Sequence, residues 1–499
     1  MQTASARVAA LVVLGLSTSV LCFCKEGSPA PEAAAMAASE EPDAQVPLPL
    51  TVTLHGHPDP TAAIAPSRGE RRESSTDTAM TSTPPLAQAR NEHQTAATAT
   101  APFAQARYEA STHTVAETTA SRVEPRSDAP IEPAEPTMAL AGSRAEGALE
   151  TVATFDSMPA GVAVSNEGRI FVSFPHLGDP IEMSVAELND GHLTAYPDSL
   201  WNSSQPGDVA ESFVGVESVV IDAKNRLWAL DTGTVNFGSV QPGRAKLVGF
   251  DLQSNKAFAV IGFPPNVVLP SSYLDDVRFD LARGKSGFAY ITDASPSGQN
   301  AIVVVDLDSR KSWRRLVNHR SVRPDPGFLA IVEGRPLYRQ SPGGAAAPFA
   351  CGIDAIEVSP DGKTIYYSPL ASRRLYSVSA DALSNADLPD AAVAATVRDL
   401  GEKGASDGMV MAAGGRLYIA DYEANAVVRR NLDGTMETVA TDPRLLWPDS
   451  MSIGPDGFLY VTANQLERQP AFEKSRDLRQ PPYALFRIRT GSAPVRANP

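Results

Sequence analysis

The chain has 499 residues, a formal net charge of −15 and 41 prolines. Its acidic balance and the lack of a basic stripe argue against a nucleic-acid partner, and they provide no attraction to an anionic membrane surface. The length allows two or three domains, but the composition is uneven, and the first third differs in class from the remainder.

Residues 1–24 have the pattern of an export signal. Arg7 precedes an apolar run, 8–21, which is too short for a comfortable membrane span and is typical of a signal h-region. Cys22 and Cys24 follow this run, where a bacterial lipoprotein carries its acylated cysteine, although the small residues expected before that cysteine are absent. We therefore expect a secreted or periplasmic protein, with signal cleavage and an N-terminal lipid anchor as alternatives. A lipid anchor would be its only attachment to a membrane.

The segment 25–148 is rich in Ala, Thr, Ser, Pro and Glu, with almost no aromatic residues and no periodic apolar run. Such a segment cannot bury enough apolar surface to offset its chain entropy. We predict a disordered linker or stalk here. One large β-domain is then expected over 149–490, followed by a tail, 491–499.

A hairpin pattern recurs about six times within this β-domain. In one copy the apolar strand VVID, 219–222, is followed by a polar turn and by RLWALDTG, 226–233. Alternating and β-branched residues favour strands, and all-β self-similarity at a period of about 40–60 residues indicates a repeat architecture. A closed ring of such units is an all-β, six-bladed β-propeller. The copies begin at Gly161, Glu217, Asp275, Asp354, Asp407 and Asp449.

The blade boundaries follow from these copies. They are predicted at 161–196, 217–263, 275–317, 354–400 and 407–440, with a sixth blade beginning at 449. The third and fourth strands of the first blade are expected at 181–185 and 192–196.

The sixth blade has a third strand at 483–489 but no sequence for a fourth. The strand-like segment ETVATF, 150–155, precedes the first blade and has no partner of its own. We predict that it closes the ring by pairing with the last blade, since this removes two exposed edges. The Pro/Gly-rich connection 318–348 joins the third and fourth blades and is a candidate lid.

Acidic residues mark both ends of the repeated hairpin. Because its strands are antiparallel, the start of the first lies across from the end of the second. Both sets should therefore lie at one end of the ring, and the innermost strands should place the first set at the mouth of the central channel. The ligand-binding residues expected at this mouth are Glu217, Asp231, Asp275, Asp293, Asp354, Asp407, Asp421, Asp449 and Asn464.

Carboxylates that face one small volume repel one another, and some would take up protons. A bound cation removes this repulsion, and oxygen-only ligands favour Ca²⁺ or another hard divalent cation. Its expected ligands are Glu217, Asp354 and Asp407. An organic ammonium ligand, helped by aromatic rings, is the alternative, and so is a set of Asp residues that only serve turns and strand ends. The aromatic residues available are Tyr273, Tyr422 and Trp447.

Other catalytic patterns are scarce in the predicted β-domain. No two of His176, His192 and His319 share a metal-ligand spacing, so a histidine-based zinc site is not expected. A Ser–His–Asp triad stays open, but no G-x-S-x-G elbow occurs. Cys351 is expected to be a small buried core residue, with a reactive thiol as the minor alternative.

Five motifs, in this order, resemble the Yellow / major royal jelly protein family. They are RLWALDTG (226–233), GFAYITDAS (287–295), IYYSPLASRRLYSVS (365–379), NAVVRRN (425–431) and WPDSMSIGPDGFLYVTANQL (447–466). The resemblance implies a six-bladed propeller, secretion and small-molecule binding in the channel. For insect members it implies dopachrome-converting activity or amine binding, and bacterial members are described as dopachrome tautomerase-related. It transfers no catalytic residue.

A second segment, 406–434, is similar to the part of the regucalcin/gluconolactonase family that carries a metal-binding Asp, and Asp407 matches that position. The partner positions in that family are Glu and Asn, whereas the counterparts here are Glu217 and Asp354. Two function classes therefore stay open. The first is a monomeric propeller that binds, and in one version isomerises, a small aromatic or amine molecule. The second is a metal-dependent lactone hydrolase, and a non-catalytic scaffold is a third, weaker alternative.

Overall fold

Six four-stranded antiparallel sheets and two short two-stranded hairpins occur in the part of the chain that the structure describes. The structure is a computed structural model and describes residues 147–203, 211–340 and 344–495. The predicted signal segment, nearly all of the predicted linker and the last four residues of the tail lie outside these ranges. Among the described residues, no helix is long and apolar enough to cross a membrane.

The first half of the ring contains strand β1 and three blades. Strand β1 is Leu149–Phe155. Blade one consists of β2 (Val162–Val164), β3 (Ile170–Ser173), β4 (Val185–Asn189) and β5 (His192–Ala195). Blade two consists of β6 (Val216–Ile221), β7 (Leu227–Asp231), β8 (Lys246–Asp251) and β9 (Lys256–Gly262). Blade three consists of β10 (Leu274–Asp280), β11 (Phe288–Asp293), β12 (Ala301–Asp306) and β13 (Ser312–Arg315).

The connection after blade three carries two short hairpins, formed by β14 (Ile331–Val332) with β15 (Arg335–Pro336) and β16 (Tyr338–Gln340) with β17 (Ala346–Pro348). Blade four consists of β18 (Ile353–Val358), β19 (Thr364–Pro369), β20 (Arg374–Ser379) and, after the helices α1 (Ala380–Ser384) and α2 (Asp390–Ala394), β21 (Arg398–Glu402). Blade five consists of β22 (Ser406–Met411), β23 (Leu417–Asp421), β24 (Ala426–Arg430) and β25 (Met436–Thr441). Blade six contains β26 (Pro448–Ile453), β27 (Phe458–Ala463), a 3-10 helix (Leu466–Arg468) and β28 (Tyr483–Arg489).

The ring is closed by its N-terminal strand, as the sequence predicts. Strand β1 pairs antiparallel with β28, with Leu149 opposite Ile488 and Phe155 opposite Tyr483. The order in this sheet is β1-β28-β27-β26, so β1 supplies the missing outer strand of blade six. The first strand of every blade contacts the first strand of the next, and β26 returns to β2. These six inner strands surround the central channel.

Apolar side chains on alternate strand positions fill the spaces between neighbouring blades. Trp228 of blade two stacks on Phe279 of blade three with ring centroids 4.9 Å apart. Its indole N–H donates to Asp222 Oδ2 at 2.8 Å, which satisfies the one polar atom of a fully buried ring. Burying an aromatic side chain of this size contributes about 2–3 kcal/mol. Each blade is thus held by its neighbours, which keeps the channel mouth rigid.

The third strand of blade one differs from the prediction. It begins at Val185 instead of ending there. Asn202 Oδ1 accepts hydrogen bonds from the backbone amides of Ser184 and Val185 at 2.8 and 2.9 Å, and this anchor sets the start of the strand. The apolar residues before it, Ile181 and Met183, pack against a core cluster from outside any strand.

Candidate functional site

Five inner strands start with a β-bulge at the acidic position predicted from the sequence. In blade two Val216 lies opposite Asp231 and Ser218 opposite Leu230, so Glu217 has no partner in the register. Blade one differs, because its inner pair shows no bulge. A bulge adds one residue to a strand and redirects its side chain. The same irregularity occurs at Asp275, Asp354, Asp407 and Asp449. Glu217 and these four aspartates are together called the acidic ring below.

Three members of the acidic ring lie close enough to share one ion. Asp275, Asp354 and Asp407 each offer a carboxylate oxygen, and the three oxygens lie within 4.8 Å of one another. Asp354 is 4% exposed and Asp407 is 8% exposed. Among the described residues, no donor lies within hydrogen-bond distance of Asp354 Oδ1, which is fully buried. The closest triad therefore contains Asp275, where the sequence indicated Glu217.

Neutral donors orient three of the carboxyl groups. The Tyr273 hydroxyl donates to Glu217 Oε2 at 2.5 Å, and the Trp447 indole N–H donates to Asp407 Oδ2 at 2.6 Å. Asp449 Oδ2 accepts a hydrogen bond from the Asn464 side-chain amide, also at 2.6 Å. These donors fix the side chains without supplying a positive charge.

Burial dominates the electrostatics of the acidic ring, because it disfavours the charged form of each acid. Burial raises the pKa of Glu217 to about 8. The hydrogen bond from Tyr273 opposes this shift, and the charge of Asp407 adds to it. Burial and the neighbouring carboxylates raise the pKa values of Asp275, Asp354 and Asp449 well above their usual range. Burial also raises the pKa of Asp407, against the hydrogen bond from Trp447. Without a cation, burial therefore favours the protonated form of these acids.

Buried cations near this region donate to other groups. Lys403, whose charge also acts on Asp421 and Asp354, donates to the Gly404 carbonyl oxygen and to the Ser406 hydroxyl. Arg278, on β10, donates to Asp276 Oδ1 at 2.5 Å and to Glu357 Oε2 at 3.1 Å. It also donates to the backbone carbonyl of Met409 at 2.7 Å, and so links the inner strands of blades three, four and five. Within the described residues, no member of the acidic ring forms an ion pair with Lys or Arg.

A buried apolar cluster that contains Tyr273, Tyr422 and Trp447, called the roof below, lies at the mouth of the channel. Tyr422 and Trp447 stack with ring centroids 4.3 Å apart, and Tyr273 belongs to the same buried cluster. The connection between blades three and four, predicted as a candidate lid, adds Val332 and Leu337 to this cluster and so packs in the same apolar cluster as these aromatic residues. The cluster also contains Cys351, which is buried as expected.

The acids at the ends of the second strands lie in different surroundings. Asp231 accepts hydrogen bonds from three backbone amides and forms a buried ion pair with Lys246 at 2.8 Å. Asp293 accepts hydrogen bonds from backbone amides and pairs with Arg314 at 2.7 Å. Asp421 accepts from two backbone amides at 3.1 and 3.2 Å. These contacts hold loops and strand ends in place, and the structure does not bring the three residues into the closest triad.

The fold and the acidic ring define a six-bladed propeller with a candidate cation or ligand site at one mouth of its channel. A family model described as "Major royal jelly protein" matches residues 214–484, more than half of the chain. The chain therefore belongs to the major royal jelly protein family.

Relatives in this family include insect proteins named "Protein yellow". That of Drosophila madeirensis is 29% identical over 240 residues, which cover 45% of this chain and 39% of the relative. That of Drosophila melanogaster is 29% identical over 238 residues, which cover 45% of this chain and 41% of the relative. The matched part is thus about two fifths of the length of these relatives.

Two solved structures have a similar course of the chain. One is a gluconolactonase from Xanthomonas campestris, with 13% identity, a TM-score of 0.42, and coverage of 68% of this chain and 89% of that one. The other is a calcium-binding regucalcin from Agrobacterium tumefaciens, with 16% identity, a TM-score of 0.41, and coverage of 68% and 94%.

Proposed function

We propose that the acidic ring binds a hard divalent cation such as Ca²⁺, and that this site, beneath its aromatic roof, binds a small aromatic or amine molecule. The observation that carries the proposal is the triad of Asp275, Asp354 and Asp407. Oxygens that lie within 4.8 Å of one another can each reach one ion at the 2.3–2.6 Å typical of calcium. The buried Asp354 Oδ1, which receives no hydrogen bond from the described residues, lacks the partner that a cation would provide.

Charge favours a divalent cation over an ammonium group as the first occupant. Three buried carboxylates around a single positive charge would keep a large excess of negative charge in a medium of low polarity. A doubly charged ion neutralises more of it and accepts several oxygen ligands at once. The small molecule is then expected beside the ion, next to the buried aromatic rings of Tyr273, Tyr422 and Trp447.

Isomerisation of the bound molecule is the finer form of this proposal. A bound cation would polarise a carbonyl or enolate oxygen. Glu217 lies in the same ring as the proposed ligands, and the hydrogen bond from Tyr273 fixes its position, so we assign it the role of proton carrier. Such a pairing of one proton carrier with one electrophilic centre suits a tautomerisation.

Hydrolysis of a lactone is the second candidate, and the same triad favours it. A cation held by carboxylates can activate both a carbonyl oxygen and a water molecule. Glu217 would then accept the proton of that water. The two reactions differ in substrate, so dopachrome and gluconolactone assays on the same sample distinguish them.

Melting curves test the cation site directly. In excess EDTA and then in Ca²⁺ at 100 times its Kd, the parent should gain about 2.7 kcal/mol of stability through mass action. Asp354→Asn should lose most of this gain, while its own melting temperature in EDTA stays equal or rises because like-charge repulsion falls. Asp361→Asn, at an exposed turn, is the matched control and should keep the gain.

Three results would change the proposal. Equal calcium shifts in the parent and in Asp354→Asn would remove the acidic ring as the cation site, and the absence of any shift in the parent would remove the cation. A shift with tyramine in EDTA that Asp354→Asn abolishes would instead place an ammonium ligand in the ring.

A further inference from the structure

A second recess lies outside the acidic ring, between the connection that follows blade three and the segment that follows β27. Its volume is about 360 Å³, which is enough for a molecule of amino-acid size. One wall comes from the hairpins β14–β15 and β16–β17, and the other from the 3-10 helix and the turn after it, 469–476. The recess thus lies at the junction of the lid and blade six, and we call it the junction recess.

Glu467 lines the junction recess and lacks hydrogen-bond donors. It is 3% exposed, and neither of its carboxylate oxygens accepts a hydrogen bond from the described residues. The Arg468 guanidinium lies 3.4 Å from Oε1. However, that guanidinium already donates to both oxygens of Glu333, at 2.6 and 3.0 Å. Burial raises the pKa of Glu467 to about 7, as expected for an acid without a proper partner.

Basic side chains and a second acid, Glu473, also line the recess. Lys474 forms no ion pair within the described part of the chain, and Arg476 lies 4.0 Å from Glu473. Arg335 also lines it but is held by Glu473 at 2.9 Å. Apolar contact is available from Leu337 and Phe472, which belong to or pack against the roof cluster. The recess therefore combines a buried acid, a lysine without an ion pair in the described structure, and an apolar wall.

We propose that the junction recess binds a zwitterionic α-amino acid with an apolar or aromatic side chain. Its ammonium group would donate to Glu467, whose two buried carboxylate oxygens accept no hydrogen bond from the described residues, and supplying a donor to buried acceptors is favourable. Its carboxylate would face Lys474 and Arg476, and its side chain would pack on Phe472. A ligand with an ammonium group but no carboxylate would leave the basic side chains without a partner. A ligand with a carboxylate but no ammonium group would leave Glu467 without a donor.

Calorimetric titration of the full chain with L-phenylalanine tests this proposal. Phenethylamine lacks the carboxylate and 3-phenylpropionate lacks the ammonium, so each should bind at least tenfold more weakly than L-phenylalanine. Glu467→Gln keeps the shape of the side chain and should weaken L-phenylalanine at least tenfold. Lys474→Ala, at a surface turn, should weaken L-phenylalanine but leave the weak phenethylamine affinity unchanged. Asp361→Asn serves as the control and should bind as the parent does.

Several results would overturn the proposal. They are an absence of heat with L-phenylalanine at millimolar concentration, equal affinity in Glu467→Gln and the parent, and equal affinity for the three compounds. The titrations are run in EDTA, so they do not depend on the cation site. Loss of the calcium shift with retained amino-acid binding would contradict only the proposed function, and the reverse pattern would contradict only the junction recess.

Discussion

Replacing Glu217 with Gln should flatten the pH dependence of stability in the cation-free protein. Glu217 is 9% exposed, and burial raises its pKa from 4.5 to about 8. A group whose pKa is higher in the folded state contributes stability that is fully present below its unfolded pKa. That contribution is lost as the pH rises through the folded pKa. For Glu217 the loss should extend from about pH 4.5 to about pH 8.

The size of this effect follows from the two pKa values. One pKa unit corresponds to about 1.4 kcal/mol, so the complete loss for Glu217 is roughly 5 kcal/mol. Between pH 5.5 and pH 7.5, inside this window, the titration of Glu217 changes the free energy of unfolding by about 2–3 kcal/mol. At about 2 °C per kcal/mol for a large domain, the melting temperature should fall by about 5 °C. The other raised acids of the acidic ring act in the same direction.

Calorimetric melts in EDTA at pH 5.5 and pH 7.5 measure this difference. The parent should lose at least the amount expected from Glu217, and Glu217→Gln should lose less by about that amount. In excess Ca²⁺ the parent should also lose less, because the cation favours the ionised acids. Glu402→Gln, on the exposed edge strand β21, is the matched control. If Glu217→Gln and Glu402→Gln both showed the full loss of the parent, Glu217 would not titrate in this window.

Two further predictions concern the framework around the site. A chain that starts at Gly161 lacks β1, so blade six loses the partner of β28; we expect a loss of several kcal/mol or a failure to fold, and a melt like that of the parent would contradict ring closure. Lys246→Met leaves Asp231 as a buried charge without its ion-pair partner and should cost about 3–5 kcal/mol in denaturant unfolding. The double variant with Asp231→Asn should recover part of that cost. If the single variant lost less stability than the double variant, the argument would be refuted.

Much of the fold could be predicted from the sequence, because the inner hairpins of a propeller are regular and buried. Their alternating apolar residues and polar turns recur in every blade, and the unpartnered segment 150–155 identified the strand that closes the ring. The third strand of blade one was placed too early, since 181–185 is apolar. Its true start depends on the side chain of Asn202, which lies later in the sequence. A contact of that kind has no local signal.

The candidate site was predicted less completely, for a physical reason. Antiparallel pairing does bring Glu217 and Asp231 to the same end of blade two, as expected. The bulge at Glu217 separates their surroundings, and strand patterns with a period of two do not reveal bulges. One signal was available: Lys246 lies directly opposite Asp231 in the third strand, which marks that acid as paired. A second signal is the alternation of charges in LDDVRFD, 274–280, which places Arg278 on the same side of the strand as Asp276.

The contrast between paired and unpaired acids is the strongest argument that the acidic ring serves a ligand. Elsewhere in the described structure, buried acids close to the ring receive a cation from the chain itself, as Asp231 does from Lys246 and Glu357 does from Arg278. A fold that needed the ring acids only for turns could satisfy them in the same way, with backbone amides and one basic side chain. Instead, their donors are the neutral groups of Tyr273, Trp447 and an asparagine. Within the described residues no Lys or Arg forms an ion pair with these carboxylates, and this leaves a role for the positive charge of a ligand.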